Sequence, residues 1–163
     1  NLSIENTPFD PTTLPSNLPI TKLNLSSTNL TNNGLTTLNI PSTLQVLNIS
    51  NNQQTNLTPL SGYNLTINAT NQNVNYGTVT PDIDDPTMFI LDLSFLRDVD
   101  FTTPNIIEIS NGGVLVQDQS SLQPVIVWQN ITVPTAAYFR FANNSGNFTG
   151  RVNVNLGNVG PTV

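Results

Sequence analysis

The aspartates between Thr80 and Pro86 are the first residues in this sequence whose types and spacing could do chemistry. Asp82, Asp84 and Asp85 lie close together in that segment. Oxygen-rich loops of this kind can bind calcium. The segment lacks the ligand spacing and the bridging glutamate of a dedicated calcium loop, so a solvated turn shaped by proline is the alternative interpretation. The sequence thus contains a weak calcium candidate, and we expect no other metal site and no cofactor.

Catalytic groups are scarce in the rest of the chain. There is no cysteine and no histidine, which excludes disulfide bonds, thiolate metal sites and the usual nucleophile–histidine pairs. A glycosidase needs two carboxylates facing each other across a cleft, but the only glutamates, Glu5 and Glu108, fall in different predicted domains. Asn111-Gly112-Gly113 stands in the wrong context for a phosphate-binding loop. We therefore expect a protein that is not an enzyme.

Asparagine supplies a different kind of candidate site. Ten Asn-x-Ser/Thr sequons occur. Several would carry glycans in a eukaryotic, viral or archaeal surface protein, and none would in a typical Gram-positive bacterium. Their asparagines are Asn1, Asn24, Asn29, Asn48, Asn56, Asn64, Asn68, Asn130, Asn143 and Asn147.

Leucine recurs with a regular spacing in the first part of the chain. Ile20-Thr-Lys-Leu-Asn-Leu25 and Leu44-Gln-Val-Leu-Asn-Ile49, which begin 24 residues apart, share the L-x-x-L-x-L register of leucine-rich repeats, and a degenerate third copy follows. Asn52 falls where such repeats bury an asparagine that binds the backbone of neighbouring turns, and Thr28 takes that position in the first copy. Because so few turns cannot bury a stable core alone, a neighbouring module must close the open end. We predict a short leucine-rich-repeat solenoid over residues 1–72.

The side chains between the repeated leucines point to the concave outer face of such a solenoid. A flat polar strip on that face suits binding of a protein or a carbohydrate, and solvated strand residues without a partner are the plainer alternative. The residues assigned to this partner-binding face are Lys22, Asn24, Gln45, Val46, Asn48, Ser50 and Asn68. A glycan on Asn48 would obstruct it.

From residue 73 onward, short runs of Val, Ile and Phe replace the leucine pattern. Predicted strands follow one another at a spacing of about 8–12 residues with turn residues between them, which is typical of a β-sandwich. They cover residues 73–80, 88–95, 105–109, 114–117, 125–129, 137–142 and 148–156. Asn111-Gly112-Gly113 and Asn144-Ser145-Gly146 favour turns, since Asn and Gly tolerate positive φ. Trp128 lies in an alternating strand, which favours a core position over a sugar-binding platform.

Composition limits the classes of partner. Charged residues make up 9% of the chain and the net charge is −6, with Lys22 as the only lysine and three scattered arginines. Binding to nucleic acid or to an anionic membrane needs a basic stripe, so neither is expected. The longest apolar run, Met88 to Leu91, is far too short to insert into a bilayer. Because the chain begins at Asn1 without Met, we expect a fragment or a processed product, and any signal peptide or wall anchor would lie outside it.

Several segments resemble the internalin-type leucine-rich-repeat proteins of Gram-positive bacterial surfaces. Residues 44–60 resemble one of their repeats, and residues 67–72 resemble the degenerate last repeat, which in that family runs directly into an immunoglobulin-like domain. Leu96-Arg-Asp-Val-Asp100, Val125-Ile-Val-Trp128 and Asn147-Phe-Thr-Gly-Arg-Val152 resemble segments of that domain. The resemblance covers residues 44–156. It implies partner binding through the solenoid, with an immunoglobulin-like β-sandwich over residues 73–163 as a rigid support.

Two hypotheses about function follow. The first is an extracellular adhesion module of a cell surface, which recognises a protein or a carbohydrate on another cell through the repeat face. The alternative is a self-assembling, N-glycosylated structural subunit of an extracellular filament or a viral coat, whose partners are copies of itself joined by strand donation at a sheet edge.

Overall fold

The computed structural model describes residues 1–117 and 123–157, and strands dominate this part of the chain. The strands are β1 (Leu2–Ser3), β2 (Lys22–Asn24), β3 (Val46–Asn48), β4 (Thr66–Val79), β5 (Phe89–Asp92), β6 (Asn105–Ile109), β7 (Val114–Gln117), β8 (Pro124–Trp128), β9 (Thr135–Ala142) and β10 (Phe148–Leu156). The helices are α1 (Asn32–Thr37) and the 3-10 helices Pro11–Thr13, Thr58–Leu60 and Leu93–Phe95. Across the described ranges, no helix has the length and apolarity needed to cross a membrane.

The strands form two sheets. Seven of them build one sheet in the order β1-β2-β3-β4-β10-β9-β6, and the other three build a second in the order β5-β8-β7. In the first sheet the neighbouring pairs β1–β2, β2–β3, β3–β4 and β4–β10 are parallel. Strand β9 is antiparallel to both of its neighbours, β10 and β6. The second sheet is antiparallel throughout. The prediction of a mainly β chain is therefore confirmed.

The first four strands belong to turns with the same backbone path. The paired inward residues of these strands are Leu2, Leu23, Leu47 and Ile67. The residue four positions after each of these takes a positive φ: Asn6 at 59°, Ser27 at 55°, Asn51 at 55° and Asn71 at 58°. Residues other than glycine seldom adopt this left-handed conformation, and asparagine tolerates it best. Because this conformation recurs at equivalent positions, the chain bends in the same way in every turn.

Asn52 holds neighbouring turns together from the inside. Only 3% of its surface is exposed. Its Oδ1 accepts the N–H groups of Thr28 and Leu30, both at 2.9 Å. Its Nδ2 donates to the carbonyls of Leu25 at 2.8 Å and Ile49 at 3.0 Å. The predicted role of Asn52 is confirmed, and it satisfies backbone groups that would otherwise be buried without partners.

Residues of two adjacent turns occupy the position equivalent to Asn52. Thr28 is buried, and its hydroxyl donates to the carbonyl of Leu25 at 2.8 Å. Gln72 is buried too, and its Nε2 donates to the carbonyl of Ile49 at 3.0 Å. A ladder of buried polar side chains thus connects three successive turns.

The beginning of the chain forms a further turn that the sequence pattern left unassigned. β1 pairs in parallel with β2. The N–H of Ile4 donates to the carbonyl of Asn24 at 2.8 Å, and the N–H of Asn6 donates to that of Ser26 at 3.1 Å. Leu2 and Ile4 pack against the core. The repeating part therefore has four turns rather than the three read from the leucine spacing.

β4 is shared by both halves of the chain. The N–H of Ile49 donates to the carbonyl of Asn68 at 2.8 Å, and one turn later the N–H of Ala69 donates to the carbonyl of Asn147 at 2.7 Å. The start of β10 thus takes the position that a further turn would take. The predicted domain boundary after residue 72 lies inside β4, and residues 158–163 of the predicted second domain lie outside the described ranges.

Most strand predictions for the second half agree with the structure. β6 and β7 have the predicted bounds, and β8, β9 and β10 match within two residues. The prediction of one strand over residues 88–95 is wrong at its end, because β5 stops at Asp92. The Oδ1 of Asp92 accepts the N–H of Ser94 at 2.8 Å and starts a 3-10 helix there. An aspartate in this position favours a helix start over a continued strand.

Both predicted turns of the second half are present. Asn111 and Gly112 have φ values of 57° and 70°, and Gly146 has a φ of 75°. The next residue, Gly113, has no room for a side chain, because a Cβ at this position would lie 2.5 Å from Nε1 of Trp128.

The inward side chains of the two sheets share one core. Trp128 is fully buried, and its Nε1 donates to the carbonyl of Ser110 at 2.9 Å. Its predicted core position is therefore confirmed. The rings of Phe141 and Phe148 meet edge to face, with centroids 4.9 Å apart. The same cluster of buried residues includes the leucines of the repeated turns, so a single core continues through both halves.

Candidate functional site

The outer face of the parallel strands brings together four of the residues predicted to bind a partner. Lys22 is paired with Val46, and Asn24 is paired with Asn48, across β2 and β3. All four line a shallow depression of about 300 Å³ on the exposed side of the sheet. We name this surface the repeat face. It combines one positive charge, two amides and one apolar side chain.

The other three predicted residues lie outside this depression. Gln45 and Asn68 are exposed on the strand side of their turns. Ser50 is 6% exposed, and its N–H donates to Oδ1 of Asn48 at 3.0 Å. Ser50 therefore offers little surface to a partner.

The three asparagines of the predicted face repeat one hydrogen bond. In each, Oδ1 accepts the N–H of the residue two positions later. The pairs are Asn24 with Ser26 at 3.0 Å, Asn48 with Ser50 at 3.0 Å and Asn68 with Thr70 at 3.1 Å. Asparagine side chains favour such local turns. Each oxygen thus fixes the backbone just after its own asparagine, and the Nδ2 group remains for other contacts, as in the bond from Asn24 to Glu5 Oε2 at 3.2 Å.

Sequence reasoning missed one end of the depression. Asn1, Leu2 and Ser3 line it as well, because β1 extends the sheet by one strand. A signal for this was available, since Leu2-Ser-Ile4 repeats the L-x-L pattern of Leu23-Asn-Leu25. The absence of a buried asparagine in this first turn made the repeat hard to recognise.

The aspartates proposed as calcium ligands shape their own turn. Oδ1 of Asp82 accepts the N–H of Asp84 at 2.8 Å. Oδ1 of Asp85 accepts the hydroxyl of Thr87 at 2.7 Å and its N–H at 2.9 Å, and these bonds hold the pKa of Asp85 below its usual value. Among the residues that the structure describes, no three His, Cys, Asp or Glu side chains form a group that could hold a metal ion. In these contacts Asp82 and Asp85 stabilise a turn of the backbone.

The sequon asparagines differ in the environment of Nδ2, the atom to which a glycan would be attached. Nδ2 of Asn143 donates to Oδ2 of Asp98 at 2.8 Å and to Oδ1 of Asn147 at 2.6 Å. Nδ2 of Asn147 donates to the carbonyl of Ile67 at 3.2 Å. The exposed sequon asparagines are Asn1, Asn29, Asn64, Asn68 and Asn130, and the half-buried ones are Asn24, Asn48, Asn56, Asn143 and Asn147. A glycan on Asn147 would break its bond to Ile67, which joins the two halves of the chain, and a glycan on Asn143 would break bonds inside the second half.

Comparison with known proteins identifies a shared fold. No protein-family model matches the chain, and no curated protein sequence matches it. The functional domain of InlJ from Listeria monocytogenes, which includes a cysteine ladder, matches with a TM-score of 0.64 and 22% identity over 84% of this chain and 29% of that one.

Structures of Clostridium perfringens ZmpB are also similar. One contains CBM51-2 in complex with GlcNAc together with INT domains, and it matches with a TM-score of 0.56 and 17% identity over 84% of this chain and 29% of that one. The second, with CBM51-2 and INT domains, matches with a TM-score of 0.56 and 19% identity over 85% and 30%. The chain thus spans less than a third of each of these structures, and its fold occurs in parts of larger bacterial proteins.

Proposed function

We propose that this chain is a non-catalytic binding module of an extracellular bacterial surface protein. In this proposal a short leucine-rich-repeat solenoid presents the repeat face to a protein or carbohydrate partner. An immunoglobulin-like sandwich supports the solenoid and closes its end. The observation that carries the proposal is the depression on the repeat face, where Lys22, Asn24, Val46 and Asn48 come together from two turns.

The chemistry of the repeat face supports recognition rather than catalysis. The Oδ1 of Asn24 and that of Asn48 are each bound to a following N–H, so these side chains are held in place before a partner arrives. Binding is tighter when the contacting groups are already ordered. Val46 adds an apolar contact, and the chain has neither histidine nor cysteine to act as a catalytic group.

The connections between the two halves are consistent with a second half that holds the repeated turns in place. β10 pairs in parallel with β4 and takes the place of a further turn. Backbone hydrogen bonds also connect Leu57 and Thr55 to Arg97, at 2.9 Å each. With these connections the repeat face is fixed relative to the rest of the molecule. The similar folds in InlJ and ZmpB are consistent with a module of a bacterial surface protein.

A binding experiment with repeat-face variants tests the proposal. The fluorescently labelled chain is applied to an array of immobilised glycans and to immobilised extracellular-matrix proteins. Val46→Arg places a large charged side chain in the depression, so we expect it to weaken binding by about tenfold or more, ~1.4 kcal/mol. Asn48→Asp keeps the acceptor for Ser50 and cancels the single positive charge of the repeat face, and it should also change the affinity.

The matched control is Thr36→Arg, an exposed position of α1 on the return path of a turn. It introduces the same side chain away from the strands and should bind as the unmodified chain does. Equal binding by Val46→Arg and the unmodified chain would contradict the repeat face as the binding site.

Self-assembly is the second candidate function, and one surface favours it. The side chains of β7 are exposed, with 58% for Val114 and 41% for Val116, and β7 is an edge of its sheet. Ile90, Val127 and Val114 form an apolar row across that sheet. Edge strands are usually protected from pairing by lysine or proline, and β7 contains neither. A second copy of the chain could pair along this edge.

Light scattering on a sizing column separates the two functions. A monomer of 17.7 kDa favours the surface-binding module. Large regular assemblies that Val116→Lys dissolves would favour the structural subunit, because a lysine on the edge strand opposes pairing.

A further inference from the structure

Two of the three arginines in the chain lie directly opposite each other on the larger sheet. Arg140 of β9 is paired with Arg151 of β10 in the antiparallel register. Glu108 on β6 and Asn73 on β4 extend this row on either side. Like charges directly opposite each other destabilise a sheet. In a chain with only four cationic side chains, this pairing needs a reason other than stability.

Neighbouring side chains hold the two guanidinium groups in place. The guanidinium carbon of Arg151 lies 3.8 Å from the centroid of the Tyr138 ring, a cation–π contact. Its Nε donates to Oδ1 of Asn153 at 2.8 Å. The hydroxyl of Tyr138 donates to Oε1 of Glu108 at 2.9 Å, and this bond raises the pKa of Tyr138. The ring under Arg151 is therefore fixed from its far end.

Most of the N–H donors in the pair have no partner among the described residues. Within this part of the chain Arg140 forms one ion pair, from Nη1 to Oε2 of Glu108 at 3.5 Å, and both side chains of that pair are about half exposed. In Arg151 the structure uses only Nε for a hydrogen bond to another described residue. Planar guanidinium groups with free N–H donors match the two oxygens of a carboxylate.

The pair faces an open depression whose neutral walls combine polar groups with the apolar residues Ile107, Phe141 and Ala142. The depression has a volume of about 510 Å³ and extends from β4 to β6. Asn71 and Thr149 line it beside the arginines, with Tyr138 below. Amide and hydroxyl groups of this kind form hydrogen bonds with sugar hydroxyls. None of the residues that line it belongs to the repeat face.

The local charge balance selects among anionic ligands. Two guanidinium groups and the carboxylate of Glu108 leave one excess positive charge in the cluster. Glu108 would repel a chain of closely spaced negative charges, such as an acidic peptide segment. A ligand with one carboxylate among several hydroxyls avoids this repulsion and uses the neutral walls.

We propose that Arg140 and Arg151 form a second binding site, which takes the carboxylate of an acidic carbohydrate of the uronic-acid type. The site lies apart from the repeat face, so it goes beyond the proposed function and does not depend on it. Arg140 and Arg151 bind the carboxylate, Tyr138 orients Arg151, and Asn71 and Thr149 contact the sugar hydroxyls.

Isothermal titration with an oligosaccharide that carries one glucuronate among neutral sugars tests this site in the unmodified chain. We expect binding that weakens as sodium chloride is added, since exposed charges are screened by salt. Arg140→Gln and Arg151→Gln should each weaken it by about tenfold or more. Thr36→Glu lowers the net charge by the same amount at an exposed position of α1, outside both depressions, and should leave the affinity unchanged. Fluorescence of the buried Trp128 confirms that each variant is folded.

Other outcomes would overturn the proposal. These are no binding of the glucuronate-bearing oligosaccharide, equal affinity in the arginine variants, or an equal loss in Thr36→Glu, which would indicate a net-charge effect. Binding of an oligoglutamate peptide without binding of the oligosaccharide would replace the carbohydrate by an acidic peptide. A loss in Val46→Arg without a loss in the arginine variants would place the oligosaccharide on the repeat face instead, so failure of the two sites can be told apart.

Discussion

Gln72 binds the backbone of the turn before it in the same way as Asn52 does one turn earlier. The side-chain nitrogen of Gln72 donates to Ile49 at 3.0 Å, as that of Asn52 donates to Leu25 at 2.8 Å. The side-chain oxygen of Gln72 accepts the N–H of Gln54 at 2.9 Å. The side-chain oxygen of Asn52 accepts the N–H of Leu30, the residue equivalent to Gln54, at 2.9 Å. Because Gln72 lies in β4, the ladder reaches the strand that both halves share.

Replacing Asn52 by leucine should strongly destabilise the fold. The substitution leaves the buried N–H groups of Thr28 and Leu30 without the acceptor that they share. A buried group that loses its partner costs about 1–3 kcal/mol, so we expect a loss of about 3 kcal/mol or more. Urea denaturation monitored by Trp128 fluorescence measures it.

Gln54→Met is the matched control for this loss. Gln54 is fully buried, and its Oε1 has no hydrogen-bond partner among the described residues. Its Nε2 donates to the carbonyl of Leu30 at 2.8 Å, but that carbonyl also accepts the N–H of Gln53 at 3.0 Å. We expect a change within about 1 kcal/mol, because a volume-conserving swap is usually tolerated. A loss as large as that of Asn52→Leu would show that burial alone, not the bonds, decides stability.

Gly150→Ala should loosen the junction between β4 and β10. A Cβ at this position would lie 2.8 Å from the Cβ of Gln72 and 2.8 Å from Cζ of Phe141. Overpacking of this kind costs about 1–3 kcal/mol. The control is Gly62→Ala, where nothing lies within 4 Å of the added Cβ and no loss is expected. Thermal denaturation of both variants measures the difference, and equal midpoints would contradict the tight contact.

Stability should be flat near neutral pH and fall in acid. The hydroxyl and N–H of a threonine two positions later lower the pKa of Asp10, Asp85 and Asp100 below 3.8. A lowered pKa in the folded state means that this contribution is present above the unfolded pKa and is lost as the pH falls through the folded pKa. With no histidine in the chain, we expect a constant urea midpoint between about pH 5 and 8 and a decline below about pH 4.

A variant checks the origin of the acid effect. Thr87→Val removes the hydroxyl that contributes most to the lowered pKa of Asp85. The pKa of Asp85 should move toward its usual value in the variant, as followed by nuclear magnetic resonance of the carboxyl carbon. An unchanged pKa would show that the hydroxyl is not its cause.

Hydrogen exchange should distinguish the first turn from the inner ones. The N–H of Ile4 and that of Ile49 both donate to a neighbouring strand at 2.8 Å. Ile49 is fully buried, whereas Ile4 is only half-buried and follows the edge strand β1. Edges open locally more often than the core, so we expect exchange of the Ile4 amide to be at least about tenfold faster. Equal protection would mean that the edge is as stable as the interior.

Features encoded within a few residues could be predicted from the sequence. The bounds of β6 and β7 and the burial of Trp128 followed from local alternation, and the role of Asn52 followed from its place in a repeat. The repeat face was predicted from the same register, and the structure gathers Lys22, Asn24, Val46 and Asn48 there.

Features that depend on distant pairing were not predicted. Bonds between β4 and β10 join residues up to 80 positions apart, such as Asn153 and Asn73, and no local pattern indicates them. The opposition of Arg140 and Arg151 follows from the turn at Asn144-Ser145-Gly146, but only once the register of that hairpin is known. The first turn was missed because it has no buried asparagine and because Leu2 and Ile4 are its only apolar residues in the repeat register.

The strand shared by the two halves also has a mechanical consequence. β4 and β10 are parallel neighbours over their whole common length. Tension applied through the repeated turns pulls β4 toward its beginning, and tension applied beyond Leu156 pulls β10 toward its end. The two strands are then loaded in shear, so their hydrogen bonds share the force instead of opening one after another. A pull along the chain is therefore resisted by shear at the point where the two halves join.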